Sequence, residues 1–511
     1  MLPIFPVALS PLLFSIFTMN LPMPTEQQSP LMNVDHGELP MWRVADLPEP
    51  LPYSIGNVFR TIGPGAILLA GSIGGGEWIV GPLMAVKYGT GILWIATVGI
   101  LLQTIFNLEA VRYTLYTGEP ILTGVMRLKP GPRFWGPFYI LAGIAQLATP
   151  AIAAGCATVL FAAFAGRMPM ATDQSQVTAI GMGVVLICAV LLMSGKTIEK
   201  LLEKLSWAMI LFIFAFLIAV NLCCVSTQTS QKTLLGFISY QPLPKDINLL
   251  LLGLFAATAG SGGLGNLAIS NWFRDKGFGM GGRVGSIGGA FAEGESRVEP
   301  IGYMFPVNSE NLRRWKTWWS YARLDQQALW AVGCVVGMYL NVNLALAIIP
   351  PGIDLPGYSS GTFQAHYLNE RFWDGLWMLT LINGFWILFS THLGNTDGLV
   401  RTVTDILWAA SPRTQKISAS RIYLIFLIIL TAWALYSIRL GNALDLFKIL
   451  GTIASPIMSL AALQMLRINT RFLPPEIRPT WFRRIMLLLC SLFYGAISVA
   501  LFTQLIRDYL T

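Results

Sequence analysis

One carboxylate stands inside an otherwise apolar run. The stretch GPGAILLAGSIGGGEWIVGPLMAV clusters Gly71, Gly74, Gly75 and Gly76 and places Glu77 directly after them. A second stretch, LLLGLFAATAGSGGLGNLAISNW, clusters Gly260, Gly262, Gly263 and Gly265, followed by Asn266. Each glycine costs a helix interior about 1 kcal/mol relative to alanine, so such clusters let the backbone leave the helix. In lipid, the freed N–H and C=O groups must line a cavity or bind something. An ionised carboxylate near a bilayer centre costs at least ~2.5–3.5 kcal/mol on insertion scales, which marks Glu77 as a functional candidate. Two chemistries fit. In one, Glu77 is a hard oxygen ligand for a cation, helped by Ser72, Thr258, Ser261, Asn266 and backbone groups of the breaks, including Gly74 and Gly75. In the other, the exposed N–H groups hold the carboxylate of a small organic solute, and Glu77 takes its amine or a proton. The competing structural explanation is close helix packing through small residues, with a protonated Glu77 bonded to a neighbour.

The elements that carry these residues must be membrane helices. The 511-residue chain is 54% hydrophobic and 12% charged, about half the charge of an average soluble domain. A multi-domain cytosolic enzyme is thereby excluded. Apolar runs long enough to span predict about eleven helices, at 62–86, 91–116, 135–165, 176–194, 205–225, 249–272, 327–350, 373–408, 420–438, 443–466 and 485–506. With the N-terminus cytoplasmic, 26 of the 34 Lys and Arg fall in inside segments and seven outside, which favours N-in, C-out. The net charge of +8 is then topological, and no nucleic-acid partner is called for. Six cysteines are too few for a disulfide framework. The glycine breaks fall in spans 1 and 6, five apart, the pattern of two five-helix repeats of inverted topology, each opening with a broken helix. This divides the chain into a disordered cytoplasmic tail (1–60), repeats at 61–225 and 249–466, and an eleventh helix at 485–506.

Other polar residues in the spans admit two readings each. Asp397, Arg401 and Asp405 are spaced i, i+4, i+8 and pair along one helical face, either as an inner gate or as a solvated helix end. Lys448 in span 10 is a fixed ammonium that replaces a coupling ion, or it snorkels to the outer interface. His392 in span 8 is a ligand or a core hydrogen-bonder. Glu109 and Arg112 can pair across one turn of span 2, and Gln146 and Asn383 are candidates for polar glue between helices. The segment 273–326 reads as a mobile cytoplasmic connector. Its glycines follow no strand, so they make no dinucleotide fingerprint, and no Walker motif occurs. No cofactor and no enzymatic constellation are expected.

The sequence also resembles the Nramp (natural resistance-associated macrophage protein) type of divalent metal-ion transporter. The Gly-Pro start of span 1 and its break before Trp78 are similar to the family's first helix. Thr117-Gly-Glu-Pro120 resembles its Thr-Gly-Lys-Asp after span 2, Ser390–Gly398 its Ser-Thr-x-x-Gly-x-x-x-Gly stretch, and Ser455-Pro456 its Leu-Pro in span 10. The resemblance implies a LeuT-like all-α fold of eleven helices and metal transport. The metal motifs depart from the family: its first-helix Asp ligand falls on Gly74, its Asn on Glu77, and Met-Pro-His-Asn is replaced by Gly260–Gly263 or Gly263–Asn266. Its proton-handling acids fall on Thr149 and Ile152. The expectation is a divergent Nramp-related secondary transporter in the cytoplasmic membrane, moving an inorganic divalent cation. With one carboxylate and no thioether, the site favours a hard cation and disfavours thiophilic metals. An amino-acid or other small-solute permease of the same fold, or a non-transporting sensor, is the alternative. The orientation is testable: single cysteines placed in 273–326 react with an impermeant thiol reagent only from the cytoplasmic side, and labelling from outside contradicts the span count.

Overall fold

The computed structural model describes residues 35–194, 198–288, 298–353 and 355–510. Among the described residues, ten helices are long and apolar enough to span a membrane: Pro64–Tyr88, Thr90–Thr117, Pro132–Ala165, Ala171–Ser194, Lys200–Cys224, Ser309–Ile348, Gly375–Ala410, Ala419–Ser437, Ala443–Arg471 and Trp481–Arg507. The remaining expected span is divided into Leu249–Thr258 and Leu264–Asp275. These are spans 1 to 5, 7 to 11 and the split span 6, so the chain is a multi-pass, all-α membrane protein with discontinuities in spans 1 and 6. Burial separates centre from periphery. In span 1, 94% of the apolar window is buried inside the protein, against 33% in spans 5, 9 and 11. Span 1 has protein on all sides, whereas the outer spans turn much of their apolar surface outward, as helices in lipid do.

Two expectations for the cytoplasmic side are corrected. Residues 1–34 of the predicted tail lie outside the described residues, but the part from 35 onward is packed. Trp42 and Leu47 are buried, and Arg43–Val44 pairs in parallel with Tyr303–Met304. The segment has no helical or strand period to announce it. Long-range side chains hold its backbone: Arg127 donates to the carbonyls of His36 (2.9 Å) and Pro40 (2.8 Å), Asn311 accepts from Leu47 N–H (3.1 Å), and Trp318 donates to Pro48 O (2.9 Å). The Arg127 guanidinium lies over the Trp42 ring at 3.8 Å and pairs with Glu119. Burial alone would raise the Glu119 carboxyl, but the Arg127 charge and hydrogen bonds outweigh it and hold that group below its ordinary range. Glu119 belongs to the Thr117–Pro120 motif, so that motif anchors the strap.

The second correction concerns 273–326. Residues 289–297 lie outside the described residues, and the rest is ordered structure rather than a loose connector. Phe278 and Met280 are buried. Ser309–Arg323 is a helix that runs through a π-helical segment, Leu324–Ala331, directly into Val332–Ile348. Its charged first turns hid its continuity with span 7 from a hydropathy reading.

Candidate functional site

The first break is built from a helix end, a π-helical turn and a restart. Pro64–Ser72 stops, Gly75–Val80 winds as π-helix, and Gly81–Tyr88 resumes. Such π segments are frequent at functional sites. The three consecutive glycines each meet a different neighbour. A Cβ on Gly74 would overlap the Thr391 hydroxyl of span 8, on Gly75 the Phe447 ring of span 10, and on Gly76 the Thr258 carbonyl of span 6. Glycine here therefore serves close packing as well as the break. Span 8 also completes the interrupted ladder: Ser390 and Thr391 hydroxyls donate to Ala70 O at 2.9 and 3.1 Å.

In the second break, Gly260, Gly262 and Gly263 have φ of 97°, 66° and 59°, a region that side-chain-bearing residues rarely enter. Two buried glutamines take up its freed backbone groups. Gln103 of span 2 donates to Ala259 O (2.8 Å) and accepts from Ser261 N–H (3.0 Å) and Gly262 N–H (3.3 Å). Gln146 of span 3 donates to Gly262 O (3.2 Å) and accepts from Leu264 N–H (2.9 Å). Gln146 is thus the polar glue foreseen for it.

The breaks lie side by side. Ser72 and Ser261 share a hydroxyl–hydroxyl bond of 2.7 Å, and Trp330 Nε1 donates to Ser72 at 3.0 Å. Glu77 sits at this junction with no solvent exposure. Gly74 N–H approaches its Oε2 at 3.4 Å, and Gly260 N–H faces the carboxylate from the other break. Its Oε1 is buried without a hydrogen-bond partner. A carboxylate oxygen so placed lacks the compensation that buried charge ordinarily has, and it can accept a proton or a cation. The structure thus gathers Ser72, Gly74, Gly75, Glu77, Thr258 and Ser261. Asn266 is buried one turn on and donates to Asn107 of span 2 at 2.8 Å, its own Oδ1 being unpartnered. Among the described residues, no three His, Cys, Asp or Glu side chains converge as a metal cluster.

Polar contacts join the helices on either side of the junction. The predicted ladder is no solvated helix end, because Asp397, Arg401 and Asp405 are buried. Arg401 holds Asp397 with two bonds of 3.0 Å and also meets Asp275 at the end of span 6. Arg274 joins Asp405 and Asp275. Trp272 and Tyr423 each donate to Asp397 at 2.7 Å. Span 8 carries Asp397, Arg401 and Asp405, span 6 carries Trp272, Arg274 and Asp275, and span 9 carries Tyr423, so the pattern could not be seen along one helix. Nearby, Asp325 Oδ1 accepts from Gly63 N–H (2.9 Å) at the start of span 1, and Lys276 pairs with Glu203 of span 5. On the opposite face, Trp78 Nε1 donates to Gly361 O (3.1 Å) and Gln364 donates to Trp78 O (3.4 Å), which packs the connection between spans 7 and 8 over the first break.

The remaining candidates lie elsewhere. Lys448 is part-exposed and donates to Asp445 at 2.9 Å, as a snorkelling lysine does. His392 is buried beside Cys188 and Thr396, in a small cavity between spans 3, 4, 8 and 9. Glu109 and Arg112 pair at 2.8 Å. Sequence reasoning missed Gln103, Asp325 and Trp330. Gln103 carried a signal: with Asn107 it makes an i, i+4 polar pair in an apolar helix, and both face span 6.

No family model matches the chain, and no curated protein matches it in sequence. Solved structures do match. One is a mutant of the Eremococcus coleocola manganese transporter, 14% identical, with TM-score 0.63 over 89% of this chain and 88% of that chain. Another is the same transporter in complex with an aromatic bis-isothiourea substituted compound, 13% identical, with TM-score 0.60 over the same shares. The chain therefore shares the fold of a manganese transporter, as the resemblance implied.

The glutamine clamp yields a prediction. Gln103→Leu keeps the volume but leaves backbone groups of the second break unpaired, each costing about 1–3 kcal/mol. Thermal unfolding of the purified protein should show a clear loss of stability, whereas Leu101→Ala on the exposed face of the same helix should change little. Equal effects would contradict the role given to Gln103.

Proposed function

We propose that the chain is a secondary transporter that moves an inorganic divalent cation across the cytoplasmic membrane, with its N-terminus cytoplasmic. The observation that carries this reading is the buried, unpartnered Oε1 of Glu77 at the meeting point of two broken helices. A carboxylate there is unfavourable unless a proton or cation compensates it, and transport requires a group that alternates between such partners. The shared fold with a manganese transporter supports a metal ion as the cargo. Hydroxyls of Ser72 and Ser261 and backbone groups of the breaks supply further ligands.

Alternating access follows from the two closures. In this reading, residues 61–225 and 249–466 are the inverted repeats, and they move against each other about the junction. The buried cluster of Asp275, Arg274, Asp397, Arg401 and Asp405 is the inner gate: its pairs join span 6 to span 8 and must part for the cytoplasmic side to open. The packing of Gly361 and Gln364 on Trp78 is the outer closure. An ion gradient drives the cycle.

Glu77→Gln tests the assignment. The amide keeps shape and removes charge, so uptake of Mn²⁺ into proteoliposomes should fall to background with the melting temperature of the ion-free protein preserved or raised. Undiminished uptake by this variant would remove Glu77 from the mechanism. Stabilisation of the parent protein by a small amino acid and by no metal would favour a permease instead.

A further inference from the structure

Away from the junction, the ends of spans 2, 10 and 11 and the helix leading into span 7 meet at one carboxylate. Glu109 of span 2 is wholly buried. Arg112 donates to both of its oxygens at 2.8 and 3.0 Å, Asn469 of span 10 donates at 3.1 Å, and Arg483 of span 11 donates at 3.0 Å. Both guanidiniums lie over the Trp319 ring, 4.2 and 5.1 Å from its centroid. Arg323 follows Trp319 by four residues in Ser309–Arg323, and so falls on the same helix face. Two cations thus share one anion. Arg112 spends all three nitrogens, the last on Ile477 O at 2.7 Å. Arg483 spends only Nη1, although its side chain is just 14% exposed. The neighbouring Glu476 is exposed and pairs with neither arginine.

We infer that Arg483 binds the phosphate of an anionic phospholipid in the leaflet on this side, which is cytoplasmic in the orientation proposed above. The Nε and Nη2 edge of a guanidinium is a planar fork that matches two phosphate oxygens. Arg112 and Arg323 add positive charge, and the Trp319 ring holds the two stacked guanidiniums in place. The level in the membrane agrees. Trp481 and Phe482, just before Arg483, are 73% and 54% exposed, and only 33% of the apolar window of span 11 is buried. Large aromatic residues at the end of an outward-facing span mark the depth of lipid headgroups, and basic pockets between membrane helices on the cytoplasmic side take such headgroups. The plainer account is that the arginines only tie spans 2 and 11 together through Glu109. It explains Arg112 and Nη1 of Arg483 but leaves the other edge of Arg483 idle and a poorly solvated charge without a counterion. The site is separate from the two breaks and does not depend on what the protein transports.

The test uses the purified full-length protein in nanodiscs of phosphatidylcholine alone, or of phosphatidylcholine and phosphatidylglycerol in equal parts. Phosphatidylglycerol should raise the melting temperature of the parent protein and remain bound to it in native mass spectrometry. Arg483→Gln should weaken that binding roughly fivefold, the effect of one basic residue near a membrane surface, and shrink the thermal shift. Arg484→Gln removes an adjacent charge whose Nε is held by Pro479 O at 2.9 Å, and should keep most of both signals. The melting temperature of each variant in phosphatidylcholine alone separates a folding defect from a lipid defect. Equal losses in the two variants would reduce the binding to diffuse surface charge and overturn the site. An equal shift from inorganic phosphate in phosphatidylcholine nanodiscs would overturn the lipid in favour of a soluble anion. No shift with phosphatidylglycerol in the parent protein would overturn the inference outright.

Discussion

Backbone polar groups inside a membrane have no water to turn to, and every feature of the junction follows from that constraint. Each break frees N–H and C=O groups that cost several kcal/mol apiece if left unpaired in lipid. The chain meets this cost with side chains from neighbouring spans. Gln103 and Gln146 close the second break, and Ser390 and Thr391 serve the carbonyl before the first. These contacts require spans 2, 3 and 8 to approach spans 1 and 6 closely, which the glycines permit. Once the backbone is satisfied, the exception stands out. Glu77 retains a buried oxygen with no partner, and the proposed function rests on that oxygen.

The ionic clusters follow a different logic. Buried ion pairs are poor sources of net stability, because desolvation offsets attraction. Their value lies in being either made or broken. The Asp275–Arg401–Asp397 connection joins the end of span 6 to span 8, and Lys276–Glu203 joins it to span 5. Asp325 reaches from the π-helical segment of span 7 to Gly63, just before span 1. All lie toward the side that the distribution of Lys and Arg leads one to expect as cytoplasmic. The Arg127–Glu119 pair on that side fastens the strap at residues 35–48 to the short helix after span 2.

Hydropathy made the spans legible, and glycine clustering made the two discontinuities legible, because both are local properties of a sequence. The place of the first break and of Glu77 directly after its glycines could be read for the same reason. What stayed hidden depends on approach between distant segments. Nothing in the run around Trp330 marks it until span 7 is laid against the first break, where its Nε1 donates to Ser72. The strap at 35–48 has no period, and its partners lie more than 250 residues away at Asn311 and Trp318. The ladder of Asp397, Arg401 and Asp405 was visible as a spacing, but its burial was not, since span 6 supplies the groups that make burial tolerable. Lys448 and His392 were singled out for charge and chemistry; their neighbours Phe447 and Thr391 pack on the first break, but Lys448 pairs with Asp445 and His392 lines a cavity between spans 3, 4, 8 and 9.

The central claim is that Glu77, held between the two breaks, is where the ion binds. Anomalous diffraction from crystals grown with Mn²⁺ addresses it most directly. The account predicts one strong anomalous peak within bonding distance of the Glu77 carboxylate, between Gly74 and Gly260. A Mn²⁺ peak elsewhere in the protein, with none beside Glu77, would contradict it.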